Sequence, residues 1–82
     1  MTNNEKEARR LIRRVLKVKD KKIVIHQIRP CQFGIDSIFF STKDYTYYVR
    51  FGISCNTFDI LETNREFGLT VFYTNKDWWF RV

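Results

Sequence analysis

Lysine and arginine side chains are concentrated at the beginning of the chain, and of all the residues in the sequence they are the strongest candidates for binding a ligand. Residues 1–22 contain nine of them against three acidic side chains, so this segment carries the whole net charge of +6. Residues 23–82 contain six basic and six acidic side chains and are neutral overall. Clustered guanidinium and ammonium groups attract and bind phosphates and carboxylates. The predicted chemistry is therefore recognition of an anion.

A helix would gather most of these basic residues on one side. Apolar residues recur at positions 8, 11, 12, 15 and 16, which is the spacing of one helical stripe. Asn4 followed by Glu7 resembles a capping box, so we predict an amphipathic helix over about 4–18. The candidate anion-binding residues on its polar side are Lys6, Arg9, Arg10, Arg13, Arg14 and Lys17. The alternative interpretation is a solvated face that keeps a small protein soluble.

The rest of the chain is predicted to form β-strands. Between residues 45 and 54, large apolar side chains alternate with smaller or polar ones, which is typical of a half-buried strand. The predicted strands are about 22–29, 35–42, 45–54, 58–62, 69–74 and 78–82. Their hairpin-like spacing favours an α+β fold, with one N-terminal helix packed on a single meandering antiparallel sheet of five or six strands. Residues 1–82 are predicted to be a single domain.

The register of two predicted hairpins decides which side chains face away from the helix. We expect Thr42 to lie opposite Tyr45, and Tyr73 to lie opposite Trp78, which places Trp78 in the core and Trp79 on the surface. The open sheet face would then carry Phe39, Tyr48, Arg50, Phe72, Trp79 and Arg81. Rings beside arginines stack on single-stranded nucleic acid, but they also form protein or homodimer interfaces. Cross-strand pairs that only stabilise the sheet are the third interpretation.

Residue types needed for catalysis or metal binding are few and scattered. The single histidine, His26, lies in a short predicted strand without a second histidine or a carboxylate pair to orient it. His26, Cys31 and Cys55 lack the spacing of zinc ligands, and no glycine-rich phosphate loop occurs. We therefore predict a non-enzymatic protein with no catalytic residues, no metal site and no cofactor.

The cellular location is predicted from cysteine usage and hydropathy. Two cysteines are fewer than a small secreted disulfide scaffold usually contains. Neither an apolar signal segment nor a run long enough to cross a bilayer is present. These features favour a cytoplasmic, intracellular protein with reduced thiols and no membrane association.

Three functional hypotheses follow from these features. The first is a nucleic-acid-binding protein that contacts phosphates through its arginine-rich helix face. The second is an inhibitor or adaptor of the phage or mobile-element type, such as an anti-defence protein, that docks on an acidic or nucleic-acid-binding surface of a host protein. The third is a compact basic ribonuclease. The expected partners are nucleic acid or an acidic protein surface, with a homodimer through the open sheet face as a further expectation.

Overall fold

Two helices and five strands make up the computed structural model, which describes residues 3–32 and 34–82. The elements in chain order are α1 (Asn3–Leu16), a 3₁₀ turn (Asp20–Lys22), β1 (Val24–Cys31), β2 (Gly34–Ser41), β3 (Thr46–Arg50), α2 (Thr57–Phe67), β4 (Thr70–Thr74) and β5 (Trp78–Arg81). The strands form one antiparallel sheet. The predicted α+β class with an N-terminal helix is therefore confirmed.

The order of the strands in the sheet is β1-β2-β3-β5-β4. The chain leaves β3, passes through α2, forms the edge strand β4 and returns to place β5 beside β3. The predicted simple meander is therefore wrong. After β3 the chain passes through α2 to the far edge of the sheet, and β5 then fills the position between β3 and β4.

Helix α1 begins one residue before the predicted cap Asn4 and ends two residues before the predicted boundary at position 18. Glu7 forms an ion pair with Arg10. The helix ends because Lys17 adopts the left-handed conformation, with φ 57°, while its N–H still donates to the Arg13 carbonyl at 2.9 Å. That conformation turns the chain out of the helix and directs it into the 3₁₀ turn.

The strand predicted at 58–62 is wrong, because this segment lies inside α2. Asn56 caps the helix: its side-chain oxygen accepts the Asp59 N–H at 3.0 Å, and the Asp59 carboxylate accepts the Asn56 N–H at 3.4 Å. Gly68 ends it in the left-handed conformation that glycine adopts without steric cost. A reciprocal cap and a glycine stop thus define a helix where a short apolar run suggested a strand.

Both faces of the sheet are covered. Ala8 and Ile12 of α1 are fully buried in one core cluster, whose other buried members are Ile23, Ile38, Phe40, Tyr47, Val49 and Trp79. On the opposite face, Ile60 of α2 packs in a second cluster with Tyr48, Leu69 and Phe80. The open sheet face expected from a one-helix architecture is therefore covered by α2.

The two hairpin predictions have different outcomes. The first is correct: the Thr42 N–H donates to the Tyr45 carbonyl at 2.9 Å, and Ser41 lies opposite Thr46. The second is wrong, because Tyr73 lies opposite Trp79, and the register shifts between Val71 and Tyr73. An extra residue at this irregularity moves the rest of β4 by one position relative to β5.

Gly52, after β3, is required by a close approach of two backbone segments. A Cβ atom at this position would lie 1.9 Å from the Lys76 carbonyl oxygen, and the Gly52 N–H donates to Asp77 Oδ1 at 3.2 Å. We expect Gly52→Ala to lower the free energy of unfolding by about 1–3 kcal/mol, because backbone must move to remove the overlap. Urea denaturation measures this change.

Lys76→Ala is the matched control for Gly52→Ala, because it places alanine in the opposing loop without an overlap. Lys76 is exposed, and we expect its replacement to change the free energy of unfolding by less than about 0.5 kcal/mol. Equal stabilities of the two variants would show that the loop 75–77 does not lie against Gly52.

Candidate anion-binding surface

Arg9 links α1 to the 3₁₀ turn through hydrogen bonds and an ion pair. Its Nη1 donates to the carbonyl oxygens of Asp20 at 3.1 Å and Ile23 at 3.2 Å. It also forms ion pairs with Glu5 at 3.5 Å and with the Asp20 carboxylate at 3.6 Å, and its side chain is only 17% exposed. Arg9 was predicted to contact an anionic partner, but the structure gives it internal partners and makes it a positioning residue.

Arg10 and Arg13 combine exposure with an acidic neighbour. Arg10 Nε donates to Glu7 Oε2 at 3.2 Å, and its Nη2 donates to Glu7 Oε1. The hydrogen bond from Arg10 holds the pKa of Glu7 below its usual value. Arg13 Nη1 donates to Asp20 Oδ1 at 3.4 Å. Exposed ion pairs of this kind contribute little stability because solvent screens them, so an anionic partner can compete for both guanidinium groups.

The remaining basic residues of this region are exposed and form no ion pair with the acidic side chains that the structure describes. Three belong to the predicted set, namely Lys6, Arg14 and Lys17. The other three are Lys19, Lys21 and Lys22, which helical periodicity could not place because they follow the end of α1. We call the eight residues Lys6, Arg10, Arg13, Arg14, Lys17, Lys19, Lys21 and Lys22 the basic surface.

The basic surface includes an open depression between α1 and the 3₁₀ turn. The depression has a volume of about 300 Å³ and is bordered by Lys6, Arg9, Arg10, Arg13 and Asp20. The contacts of Arg9 and Arg13 with Asp20 hold the 3₁₀ turn against α1. The lysines of the turn therefore continue the charge of the helix face, and the cationic area is larger than one helix alone would provide.

The six residues predicted on an open sheet face do not share one surface. Phe39 and Tyr48 lie beneath α2, where the Phe67 ring centroid is 5.7 Å and 5.3 Å from theirs. Trp79 is 1% exposed in the α1-side core, and Phe72 packs against the same cluster. The α2 side holds Phe39, Tyr48 and Arg50, whereas the α1 side holds Phe72, Trp79 and Arg81. Side chains alternate between the two faces along each strand, and α2 covers one of these faces, so the six predicted residues lie in two separate places.

Arg81 and Arg50 occupy different surroundings. The Arg81 guanidinium lies over the Tyr45 and Phe72 rings, at 4.6 Å and 5.3 Å from their centroids. The Arg50 side chain is mostly buried, and desolvation disfavours its charge, but the neighbouring Tyr48 hydroxyl and the carboxylates of Asp36 and Asp59 together raise its pKa. Arg50 is therefore a permanent cation beneath α2.

His26 and the cysteines were not predicted to be functional. His26 Nε2 lies 2.6 Å from the Ser41 hydroxyl, which lies 3.3 Å from the Thr46 hydroxyl. No carboxylate hydrogen-bonds to His26 among the described side chains, so this pair lacks the acid that orients a catalytic triad. Cys31 and Cys55 are free thiols, and burial raises the pKa of Cys55. No group of three or more metal-ligating side chains occurs in residues 3–32 and 34–82.

Neither helix in the described part of the chain is long and apolar enough to span a bilayer. The chain matches no protein-family model, no curated protein and no solved structure.

Proposed function

We propose that this protein binds nucleic acid by contacting phosphate groups with the basic surface. The observation that supports this most is the placement of charge. The nine basic residues of positions 1–22 account for the net charge of +6, and all except Arg9 are exposed. A cationic surface beside an otherwise neutral chain attracts a polyanion and orients its approach.

The contacts available on the basic surface favour backbone recognition over base recognition. Its donors are guanidinium and ammonium groups on long side chains, which match phosphate oxygens. The exposed ion pairs of Arg10 and Arg13 keep these two guanidinium groups close to the helix. Because phosphate contacts carry no direct sequence information, we expect broad binding with little preference for sequence.

Fluorescence anisotropy with labelled oligonucleotides tests this proposal. Single-stranded DNA, duplex DNA and single-stranded RNA of equal length are titrated with the protein at several salt concentrations. We expect affinity to fall linearly on a log–log plot against salt, with a slope equivalent to about four to six neutralised phosphates. Gel analysis of the RNA after incubation tests the ribonuclease alternative in the same samples. Absence of binding to all three at about 50 mM salt, where phosphate contacts are favoured, would refute the proposal.

A protein partner is the second candidate function, and exposed apolar side chains support it. Ile53, Phe58 and Leu61 are 104%, 70% and 58% exposed, and the last two lie one turn apart on α2. Large contiguous patches of exposed apolar side chains mark interaction sites, and phenylalanine is among the residues enriched in protein interfaces. Two results together would favour this candidate. No oligonucleotide binds to the protein, and one protein is recovered with it from nuclease-treated host lysate. The Phe58→Ser variant should fail to recover that protein.

A further inference from the structure

A small polar pocket lies between α2 and the sheet, on the face opposite α1. Its volume is about 100 Å³. Side chains from β1, β2, β3 and the second half of α2 line it, and none of them belongs to the basic surface. The pocket is therefore independent of the surface proposed to bind nucleic acid.

The sheet register places two arginines on either side of a buried serine in this pocket. Arg29 of β1 lies opposite Ser37 of β2, and Ser37 lies opposite Arg50 of β3. Residues directly opposite each other in neighbouring strands point to the same face, so the three side chains form one row across the sheet. Ser37 is 4% exposed, which places its hydroxyl at the base of the pocket.

One donor of Arg50, its Nε–H, has no acceptor among the described residues. The Arg50 side chain is 13% exposed, and this Nε is buried. Its ion pair with Asp59 is long, at 3.8 Å, and the Asp59 carboxylate already accepts the Asn56 N–H in the helix cap. Buried donors of native proteins are normally satisfied by protein, water or a bound ligand, so the Nε–H of Arg50 is available to an acceptor that enters the pocket.

Helix α2 contributes one hydroxyl and one opposing charge to the same pocket. Thr63 is buried and lines it with its neighbours Glu66 and Phe67. The hydroxyl adds a donor, whereas the Glu66 carboxylate opposes any anion that enters. Glu66 is exposed in the last turn of the helix, so solvent screens its charge more than that of Arg50.

We propose that this pocket binds one phosphate group, held between Arg29 and Arg50 above the hydroxyls of Ser37 and Thr63. Guanidinium forks match the oxygens of phosphate, and the hydroxyl groups donate to the same acceptors. A volume of about 100 Å³ corresponds to roughly three water molecules, which suits a single tetrahedral oxyanion. The group belongs either to free phosphate or to a phosphate monoester.

NMR titration of the ¹⁵N-labelled full chain tests the phosphate site. Inorganic phosphate and methyl phosphate are added separately, with chloride adjusted to keep ionic strength constant. We expect a saturable shift of the Arg50 Nε–H signal and of the backbone amides of Ser37 and Thr63. Similar affinities for both probes indicate a monoester as ligand, whereas preference for inorganic phosphate indicates the free ion. Either result supports the site.

Substitutions locate the binding and separate it from a solvent-filled pocket. We expect Arg29→Gln to weaken phosphate binding about tenfold or more, the loss of one charge-assisted contact. Arg29 is exposed on an edge strand, so this variant is expected to fold. Glu66→Gln should tighten binding, because it removes the opposing carboxylate. Arg65→Gln is the matched control, since Arg65 is 78% exposed on α2 and does not line the pocket.

Two results would overturn the phosphate site. The first is a set of shifts confined to α1 and the 3₁₀ turn, which would place phosphate only on the basic surface. The second is equal phosphate affinity of the Arg29→Gln and Arg65→Gln variants. The first result would still support phosphate contact by the basic surface, and failure of the oligonucleotide experiment leaves the Arg50 signal as an independent measurement.

Discussion

Replacing Trp79 by alanine is expected to lower the free energy of unfolding by about 3–5 kcal/mol. Trp79 is 1% exposed and lies opposite Val49 in the middle of the sheet. Its ring centroid is 6.3 Å from that of Phe40, with the two planes at 83°, so removal leaves a cavity against an edge-to-face partner. Because domains of this size are stable by only about 5–10 kcal/mol, the loss is a large fraction of the total.

Chemical denaturation of the Trp79→Ala and Trp78→Ala variants measures this effect against a matched control. Trp78 is the same residue type in the same strand, but it is only partly buried on the α2 side. We therefore expect Trp78→Ala to be the milder change. A larger loss for Trp78→Ala would contradict the β3–β5 register, because that register places Trp79 opposite Val49 and so determines which ring enters the α1-side core.

Trp79→Phe provides a second measurement if the alanine variant is unfolded without denaturant. The Trp79 Nε1–H is buried and has no hydrogen-bond partner among the described residues. Phenylalanine therefore removes volume without breaking a hydrogen bond, and we expect a smaller loss than for alanine. A neutral effect of both substitutions would show that Trp79 is not a core residue.

Local sequence patterns predicted the parts of the fold that depend on neighbouring residues. The apolar stripe that includes Ala8 and Ile12 indicated α1, because periodicity within one helix does not depend on the rest of the chain. The β2–β3 hairpin was also predictable, since its two-residue turn at Lys43 and Asp44 sets the register directly. Both predictions rest on contacts between residues close in sequence.

Two predictions were wrong for different reasons. The strand predicted at 58–62 overlooked local helix signals, and the β4–β5 register depends on an irregular pairing. The pattern from Asn56 to Asp59 is a capping box, and Gly68 marks a helix end, so both signals of α2 were present in the sequence. The β4–β5 register was not predictable in the same way, because the irregularity between Val71 and Tyr73 is a property of the paired strands. The face that Trp79 occupies is set by its position opposite Val49 in the β3–β5 pairing, and α2 separates these two strands in the sequence.

The sequence predicted where the basic side chains of the candidate site lie, but not which other residues they contact. The composition of residues 1–22 located the cations, and helical periodicity identified the exposed side of α1. The partners of Arg9 are carbonyl oxygens of Asp20 and Ile23, which reach the helix only after the chain has turned back. The phosphate pocket was missed because Arg29, Ser37 and Arg50 meet only through strand pairing.

Replacing Arg14, Lys17 and Lys21 together with glutamine is expected to weaken nucleic-acid binding about 100-fold at low salt. Each of the three is exposed and forms no ion pair within the described part of the chain. Contacts worth about 1 kcal/mol each combine to roughly two powers of ten in affinity. The slope against log salt should also decrease by about three, one for each lost phosphate contact. Anisotropy titrations at several salt concentrations measure both quantities.

A second triple variant separates a local contact from the effect of net charge. Lys43, Arg65 and Lys76 are also exposed, lie outside the basic surface, and lower the net charge by the same amount when replaced with glutamine. We expect this control to retain most of the affinity and nearly all of the salt slope, because phosphates that contact α1 lose no partner. Equal weakening by the two triple variants would indicate attraction by overall charge and would contradict a defined site on α1 and the 3₁₀ turn.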